Sequence, residues 1–289
     1  MDNNKVFILE LHNILYLYLV KEKYMQKLVS VIVTTKNEER NIGRFWKSVK
    51  IQNYKNIECI TIDNSSKDKT KEIAGKYSKV YDKGPERSAQ RNFGAKKSKG
   101  DILIFLDADM ELTENVVKDC VENIKDNIAM IIPERSVGKG FWQNVKVLER
   151  NCYIGDLDME LPRVYKKNIF FKLGEFDKDI TGPEIEDLYA RALRFGKIGR
   201  INSFIIHHEL IDSIWLIAKK KVYYCKSLGR YMKKEKATSK RQAKLFLRPA
   251  YVRNWKSFVK RPDLAYGFFI MRLFEGFGAL YGFYKGRNL

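Results

Sequence analysis

Two carboxylates one residue apart, Asp107 and Asp109, close the apolar run Ile102-Leu103-Ile104-Phe105-Leu106. The run is short, rich in β-branched and aromatic residues and preceded by Gly100, so it predicts a buried central strand. In an open α/β sheet, ligands sit at the carboxyl ends of the strands, and acids placed there face the crevice rather than the core. Asp-x-Asp at such an edge offers hard oxygen ligands to a divalent cation, Mg²⁺ or Mn²⁺, whose shell is usually completed by substrate phosphates. A solvated turn would use the same residues, so the motif draws its weight from its surroundings.

Those surroundings repeat one unit. Val29 to Thr34 reads as a strand, followed by the polar loop Thr34-Thr35-Lys36-Asn37-Glu38-Glu39 and a helical pattern through Ile42, Phe45, Trp46 and Val49. Ile57 to Ile62 is a second strand, ending in Asp63-Asn64-Ser65-Ser66-Lys67-Asp68 before a helix carrying Thr70, Ile73 and Ala74. Val80-Tyr81 is a short third strand, and Arg87 to Ser98 a helix. Alternation of this kind requires a mostly parallel sheet with right-handed crossovers. The strand ends then gather Thr34, Thr35, Glu38, Asp63, Asp107 and Asp109 at one edge. Each polar cluster alone suits helix capping, but together they read as a nucleotide pocket in which Asp63 accepts from an imide N–H or a ribose hydroxyl. Arg87 and Arg91 lie one helical turn apart, so both can face that edge and offer planar donors to phosphate.

Four segments, Val29-Ser30-Val31-Ile32-Val33-Thr34-Thr35-Lys36-Asn37-Glu38, Ile62-Asp63-Asn64-Ser65-Ser66-Lys67-Asp68, Arg91-Asn92-Phe93-Gly94-Ala95 and Gly100 through Asp109, resemble the family-2 glycosyltransferases of the GT-A fold. The resemblance runs through residues 28–112 and extends to about 210. It implies a GT-A nucleotide-binding α/β sheet flanked by helices. It also implies metal-dependent, inverting transfer from a UDP- or GDP-type sugar donor to a lipid-linked, polyprenyl-phosphate or glycan acceptor. By the same resemblance Asp63 contacts the nucleobase, Arg87 the diphosphate, Asp107 the sugar or ribose and Asp109 the metal, with Thr34 and Glu38 flanking base and ribose. Leu161 to Tyr165 and Gly174 to Asp177 match an expected strand and turn. The segment Gly182 to Arg191 is similar to the family's acidic acceptor motif, but the position usually held by the base aspartate falls on Ile185. Transfer to a hydroxyl wants a carboxylate within hydrogen-bond reach, and Glu184 or Asp187 is the expected source. A phosphate acceptor, already an anion, needs none. Phe204 to Glu209 reads as a strand closing on His207 and His208, and His207 is expected to join Asp107 and Asp109 as a metal ligand.

The chain has 289 residues, 45% hydrophobic and 31% charged, which is the composition of a folded globular protein. Its net charge of +20 is uneven, because sixteen basic residues against the single acid Glu235 lie between Lys219 and Arg261. Residues 1–24 read as an extension, 25–212 as the catalytic domain and 213–289 as a basic, aromatic helical region. The apolar patch Ile14 to Val20 is too short to span a bilayer and lacks the flanks of a signal peptide. Leu264 to Tyr284 is apolar, yet Arg272 and Glu275 at its middle argue against spanning. A helix lying in the interface and held by anionic lipid fits better, which puts the protein peripherally on the cytoplasmic face of a membrane. Four scattered cysteines, Cys59, Cys120, Cys152 and Cys225, agree with a reducing compartment. A sugar nucleotidyltransferase would want a glycine-rich loop after the first strand, which Thr34 to Asn37 lacks. A nucleic-acid binder would spread its basic residues over the α/β part as well. No Walker loop or dinucleotide glycine fingerprint occurs, which excludes the ATPase and dehydrogenase readings.

Overall fold

Seven successive residues, Val29–Thr35, are buried in the computed structural model, and this strand, β1, is the axis of the molecule. The structure describes residues 27–156, 158–211, 213–234 and 248–286. The extension 1–24 and part of the basic stretch lie outside the described residues. After β1 come α1 (Ile42–Lys50), β2 (Ile57–Asp63), α2 (Thr70–Gly75), β3 (Lys79–Asp82), α3 (Arg87–Lys97) and β4 (Ile102–Asp107). There follow β5 (Met110–Leu112), α4 (Val116–Asn123), β6 (Ala129–Ile131), β7 (Glu134–Val137), α5 (Phe141–Asn151) and β8 (Pro162–Lys166). The α/β part is completed by α6 (Lys167–Lys172), α7 (Glu184–Leu193), β9 (Ile198–Arg200) and β10 (Ile205–His208). Helices α8 (Ile214–Cys225), α9 (Leu228–Lys234), α10 (Pro249–Arg253), α11 (Trp255–Lys260) and α12 (Pro262–Gly286) make up the described C-terminal region.

The main sheet has the order β3-β2-β1-β4-β8-β6-β9. Its first four strands are parallel, and β8 enters antiparallel between β4 and β6. Alternate residues of a strand point to opposite faces, and both faces of β1 and β4 are covered. Val29, Val31 and Val33 join Ile102, Ile104 and Leu106 on the side of α1. On the other side, Ile32, Leu103 and Phe105 meet Phe170 and Phe176. Double coverage is why these strands read as unbroken apolar runs.

A second sheet, β5-β10-β7, was not foreseen from the sequence. β10 runs antiparallel to β5 and parallel to β7, and this register sets His207 opposite Met110. The strand carrying the histidines is thereby delivered to the end of β4.

In the C-terminal region α12 lies along α8. Gly278, Gly282 and Gly286 recur every four residues and face the α8 backbone; a Cβ on Gly278 would stand 2.7 Å from the Ala218 carbonyl oxygen. Arg272 and Glu275, counted from the sequence as charges against membrane contact, are turned inward and buried. Glu275 accepts from Lys146 of α5 at 3.0 Å and from Arg272 at 2.5 Å, while Arg272 also pairs with Glu149 of α5. Burial alone would raise the Glu275 carboxyl, but Lys146 and Arg272 hold it down at about 2. Among the described residues no helix is long and apolar enough to cross a membrane.

Two glycine substitutions on α12 should separate close packing from chain entropy. Gly278→Val forces α8 and α12 apart and should cost about 1–3 kcal/mol, whereas Gly276→Ala meets open space and should gain about 0.5–1 kcal/mol. Shifts of opposite sign in the urea midpoint check this.

Candidate active site

The parallel register aligns the three strand ends that hold the polar clusters: Thr34 stands opposite Asp107, and Thr35 opposite Asp63. Asp63 is fully buried and accepts from Thr35 Oγ1 at 2.9 Å, the Ser66 amide at 2.7 Å and Ser66 Oγ at 2.5 Å. It ties the loop after β2 to the end of β1, and Ser65, in the left-handed region at φ +53°, makes the tight turn that lets Ser66 reach back. The loops after β1 and β2 are stitched together, because Ser66 Oγ accepts from the Asn37 amide and Thr70 Oγ1 from the Glu38 amide. Glu38 sits close to the acidic strand end. Burial raises its carboxyl, the Asn41 amide opposes this, and the charges of Asp109 and Asp107 add to the rise.

Asp107 is held by arginines. Arg91, only 1% exposed, donates to Asp107 Oδ1 at 2.9 Å and to Glu184 Oε1 at 3.0 Å. Arg163, on β8, reaches Asp107 Oδ2 at 3.5 Å and Glu134 Oε1 at 2.5 Å. Burial would raise the Asp107 carboxyl, but the guanidinium groups of Arg91 and Arg163 prevail and hold it far below the usual aspartate range. The sequence placed both Arg87 and Arg91 at the donor phosphate. The structure separates them: Arg91 is a buried strut, whereas Arg87 keeps 37% of its side chain exposed, 3.4 Å from Glu184 and 5.0 Å from the centre of the Tyr224 ring.

Asp109 faces differently. Its Oδ2 lies 3.3 Å from His207 Nε2, and its Oδ1 is buried with no partner among the described residues. A bare carboxylate oxygen beside an imidazole fits one side of a divalent-cation shell. Asp107, drawn to Arg91 and Arg163, does not complete a protein trio: among the described residues no group of three or more His, Cys, Asp and Glu is arranged to hold an ion by itself. The remaining ligands would therefore come from phosphate and water, as is usual for Mg²⁺. His207 is fixed from behind by Glu134 at 3.2 Å and Arg150 at 3.0 Å. Burial and Arg150 would lower its pKa, but hydrogen bonds to Asp109 and Glu134 raise it to about 9. His208, one residue on, points to the other face of the strand and pairs with Glu111 at 2.9 Å.

Helix α7 presents three acids in its first turn. Glu184 is taken by Arg91, Arg87 and the Gly182 amide. Asp187 is fully buried between Arg191 at 2.6 Å and Lys234 at 2.8 Å. The two carboxylates expected to share one acceptor-facing role thus serve separate ion pairs, because different neighbours reach each of them. Glu186, passed over in the sequence, makes no side-chain hydrogen bond or ion pair with another described residue. Burial and the charge of Glu184 push its carboxyl up to about 7. Glu134, Arg150 and Arg163 were also missed, since no spacing rule links β7, α5 and β8 to His207.

Comparison with known proteins identifies the family and the fold. A family model described as glycosyl transferase family 2 matches residues 30–184. The 4,4'-diaponeurosporenoate glycosyltransferase of Staphylococcus haemolyticus is 37% identical over 93 residues, 29% of this chain and only 24% of that protein. The GalNAc(5)-diNAcBac-PP-undecaprenol beta-1,3-glucosyltransferase of Campylobacter jejuni is 24% identical over 228 residues, 69% of this chain and 70% of that protein. Among solved structures, the mannosyltransferase PcManGT from Pyrobaculum calidifontis, in complex with GDP-Man and Mn²⁺, superposes with a TM-score of 0.60 at 14% identity. That match covers 93% of this chain and 94% of that one, and it shows a shared GT-A fold.

The arginine cluster has a pH signature. The Asp107 carboxyl is depressed in the folded chain, so the stability it contributes is complete above its unfolded value of about 3.9. That stability is lost as the pH falls from there through the lower folded value. Asp107→Asn should flatten the acid limb of a melting-temperature profile below about pH 4. Arg91→Met, which takes the shared guanidinium from the buried Glu184 and the half-buried Asp107, should cost about 3–5 kcal/mol at neutral pH.

Proposed function

The chain belongs to glycosyl transferase family 2, and from that premise we propose that it moves a sugar from a nucleoside-diphosphate donor of the UDP or GDP type to a membrane-borne acceptor. Lipid-linked glycans and polyprenyl phosphates are the acceptor classes that fit, with a free glycan as the wider class. The observation that carries this reading is the unpartnered carboxylate oxygen of Asp109 beside His207 at the end of β4. The undecaprenol-linked substrate in the name of the Campylobacter jejuni relative supports a lipid-carried acceptor. The four cysteines are free, in keeping with a cytoplasmic, reducing location at the membrane surface.

In this reading Asp109 would hold Mg²⁺ or Mn²⁺, joined by His207 once its Nε2 gives up the proton it shares with Asp109, and the ion would supply Lewis-acid neutralisation of the donor's diphosphate. Arg87, half-exposed above Glu184, donates to the same diphosphate and stabilises the charge it gains on leaving. Thr34 and Glu38 flank the base and ribose beside Asp63. Asp107, locked by Arg91 and Arg163, stays ionised and accepts from a sugar or ribose hydroxyl. Displacement at the anomeric carbon is a single in-line step and inverts the configuration. Since Glu184 and Asp187 are neutralised by basic partners, Glu186 is the carboxylate of α7 suited to take a proton from an acceptor hydroxyl. Its uncommitted side chain and a pKa of about 7 match the demand on a general base at neutral pH.

Asp109→Ala should abolish both release of nucleoside diphosphate and Mn²⁺-dependent donor binding followed by calorimetry; turnover at the parental rate would remove its assigned role. Glu186→Gln should leave donor binding intact and lower kcat by about 10²–10⁴-fold with a hydroxyl acceptor. Little change would point to a phosphate acceptor or another base.

A further inference from the structure

The exposed side of α12 has a composition that the buried side explains. Tyr266, Phe269, Leu273, Phe277, Leu280 and Tyr284 are all exposed. At 3.6 residues per turn they fall within an arc of about 80°. Between Leu264 and Tyr284 the only charged residues are Arg272 and Glu275, and both are locked inward against Lys146 and Glu149. The helix therefore shows an uncharged aromatic stripe along its length. Trp215 of α8, 70% exposed, joins it through an edge contact with Phe274 at 5.1 Å. Val252, Trp255 and Val259 on α10 and α11 form a further apolar groove beside Phe268.

Basic residues on the same elements lack salt bridges: Lys219, one turn from Trp215 on α8, and Lys256 and Lys260 on α11 are exposed and form no salt bridge with a described carboxylate. An apolar stripe with Tyr and Trp and a lysine rim is the pattern of a helix lying in a bilayer interface. A second copy of this chain would bring the same cationic rim against itself, so self-association is disfavoured by charge. The layer also touches the cleft. Tyr224 of α8 covers Arg87, Tyr223 hydrogen-bonds Glu86 at 2.8 Å, and Ser227 accepts from the Thr181 amide at 2.9 Å next to the acidic turn of α7.

We infer that the outward face of α12, with Trp215 and the α10–α11 groove, is a docking surface for an anionic lipid bilayer that seats the cleft at the membrane plane without a spanning helix. This deepens the reading of a membrane-borne acceptor by naming the surface that meets the acceptor's membrane.

Flotation of the full chain with vesicles of phosphatidylcholine and phosphatidylglycerol, three to one, tests the proposal, with pure phosphatidylcholine vesicles alongside. Phe277→Glu/Leu280→Glu should weaken partitioning on the order of a hundredfold while the melting temperature stays at the parental value. Lys256→Gln/Lys260→Gln should weaken it roughly fivefold per lysine on the anionic vesicles and not on the neutral ones. Parental protein that stays in solution, or a double-glutamate variant that floats as before, overturns the proposal. So does a parental dimer in sedimentation velocity that the glutamates dissociate. Mn²⁺-dependent nucleoside-diphosphate binding in solution reports separately: its loss in a protein that still floats refutes the transferase reading and leaves the docking surface standing.

Discussion

A guanidinium that almost no water reaches organises this molecule. Arg91 lies between Asp107 at the end of β4 and Glu184 at the start of α7, and its charge cannot be shed by deprotonation. An arginine buried this deeply is tolerated only with good hydrogen-bond geometry to opposite charge. Its two carboxylates come from chain segments 77 positions apart and must be placed together for it. Phe176 adds the face of its ring at 5.5 Å. The pairing fixes the wall of the cleft before any substrate arrives. It also ties Asp107 and Glu184 into ion pairs, while Asp109 and Glu186 lie outside its reach.

The elements that position the donor side were legible because burial on both faces leaves a plain mark. The strands from β1 to β4, with the helices between them, fall within a residue or two of the apolar runs that announced them. The elements that finish the site left no such mark. Glu134-Arg135-Ser136-Val137 is a strand with one apolar residue, because Glu134 is committed to Arg163 and His207 and Ser136 to Glu209. His207 reaches Asp109 only through the register of β10 on β5, which pairs residues about a hundred positions apart. The acidic helix was misread for a different reason. The i, i+3 relation of Glu184 and Asp187 suggested a shared face, while the i, i+4 pair Asp187–Arg191 was equally visible and is the contact that forms.

The C-terminal region shows how hydropathy averaged along a helix conceals direction. Arg272 and Glu275 interrupt the apolar run when it is counted as a line, yet on the surface of the helix they fall on the protein side. Burying them requires Lys146 and Glu149 opposite, and burial lowers Lys146 to about 8 despite the help of Glu275. Close approach of α8 through Gly278, Gly282 and Gly286 leaves the aromatic side chains to point the other way.

Helix α5 stands between these two systems. Lys146 and Glu149 engage α12, and the next residue, Arg150, contacts His207 and Glu209. Eleven residues thus answer to two masters on adjacent turns. A lineage refitting this helix to a changed α12 would disturb the imidazole beside Asp109, and one retuning that imidazole would loosen the grip on α12. The two traits cannot drift independently.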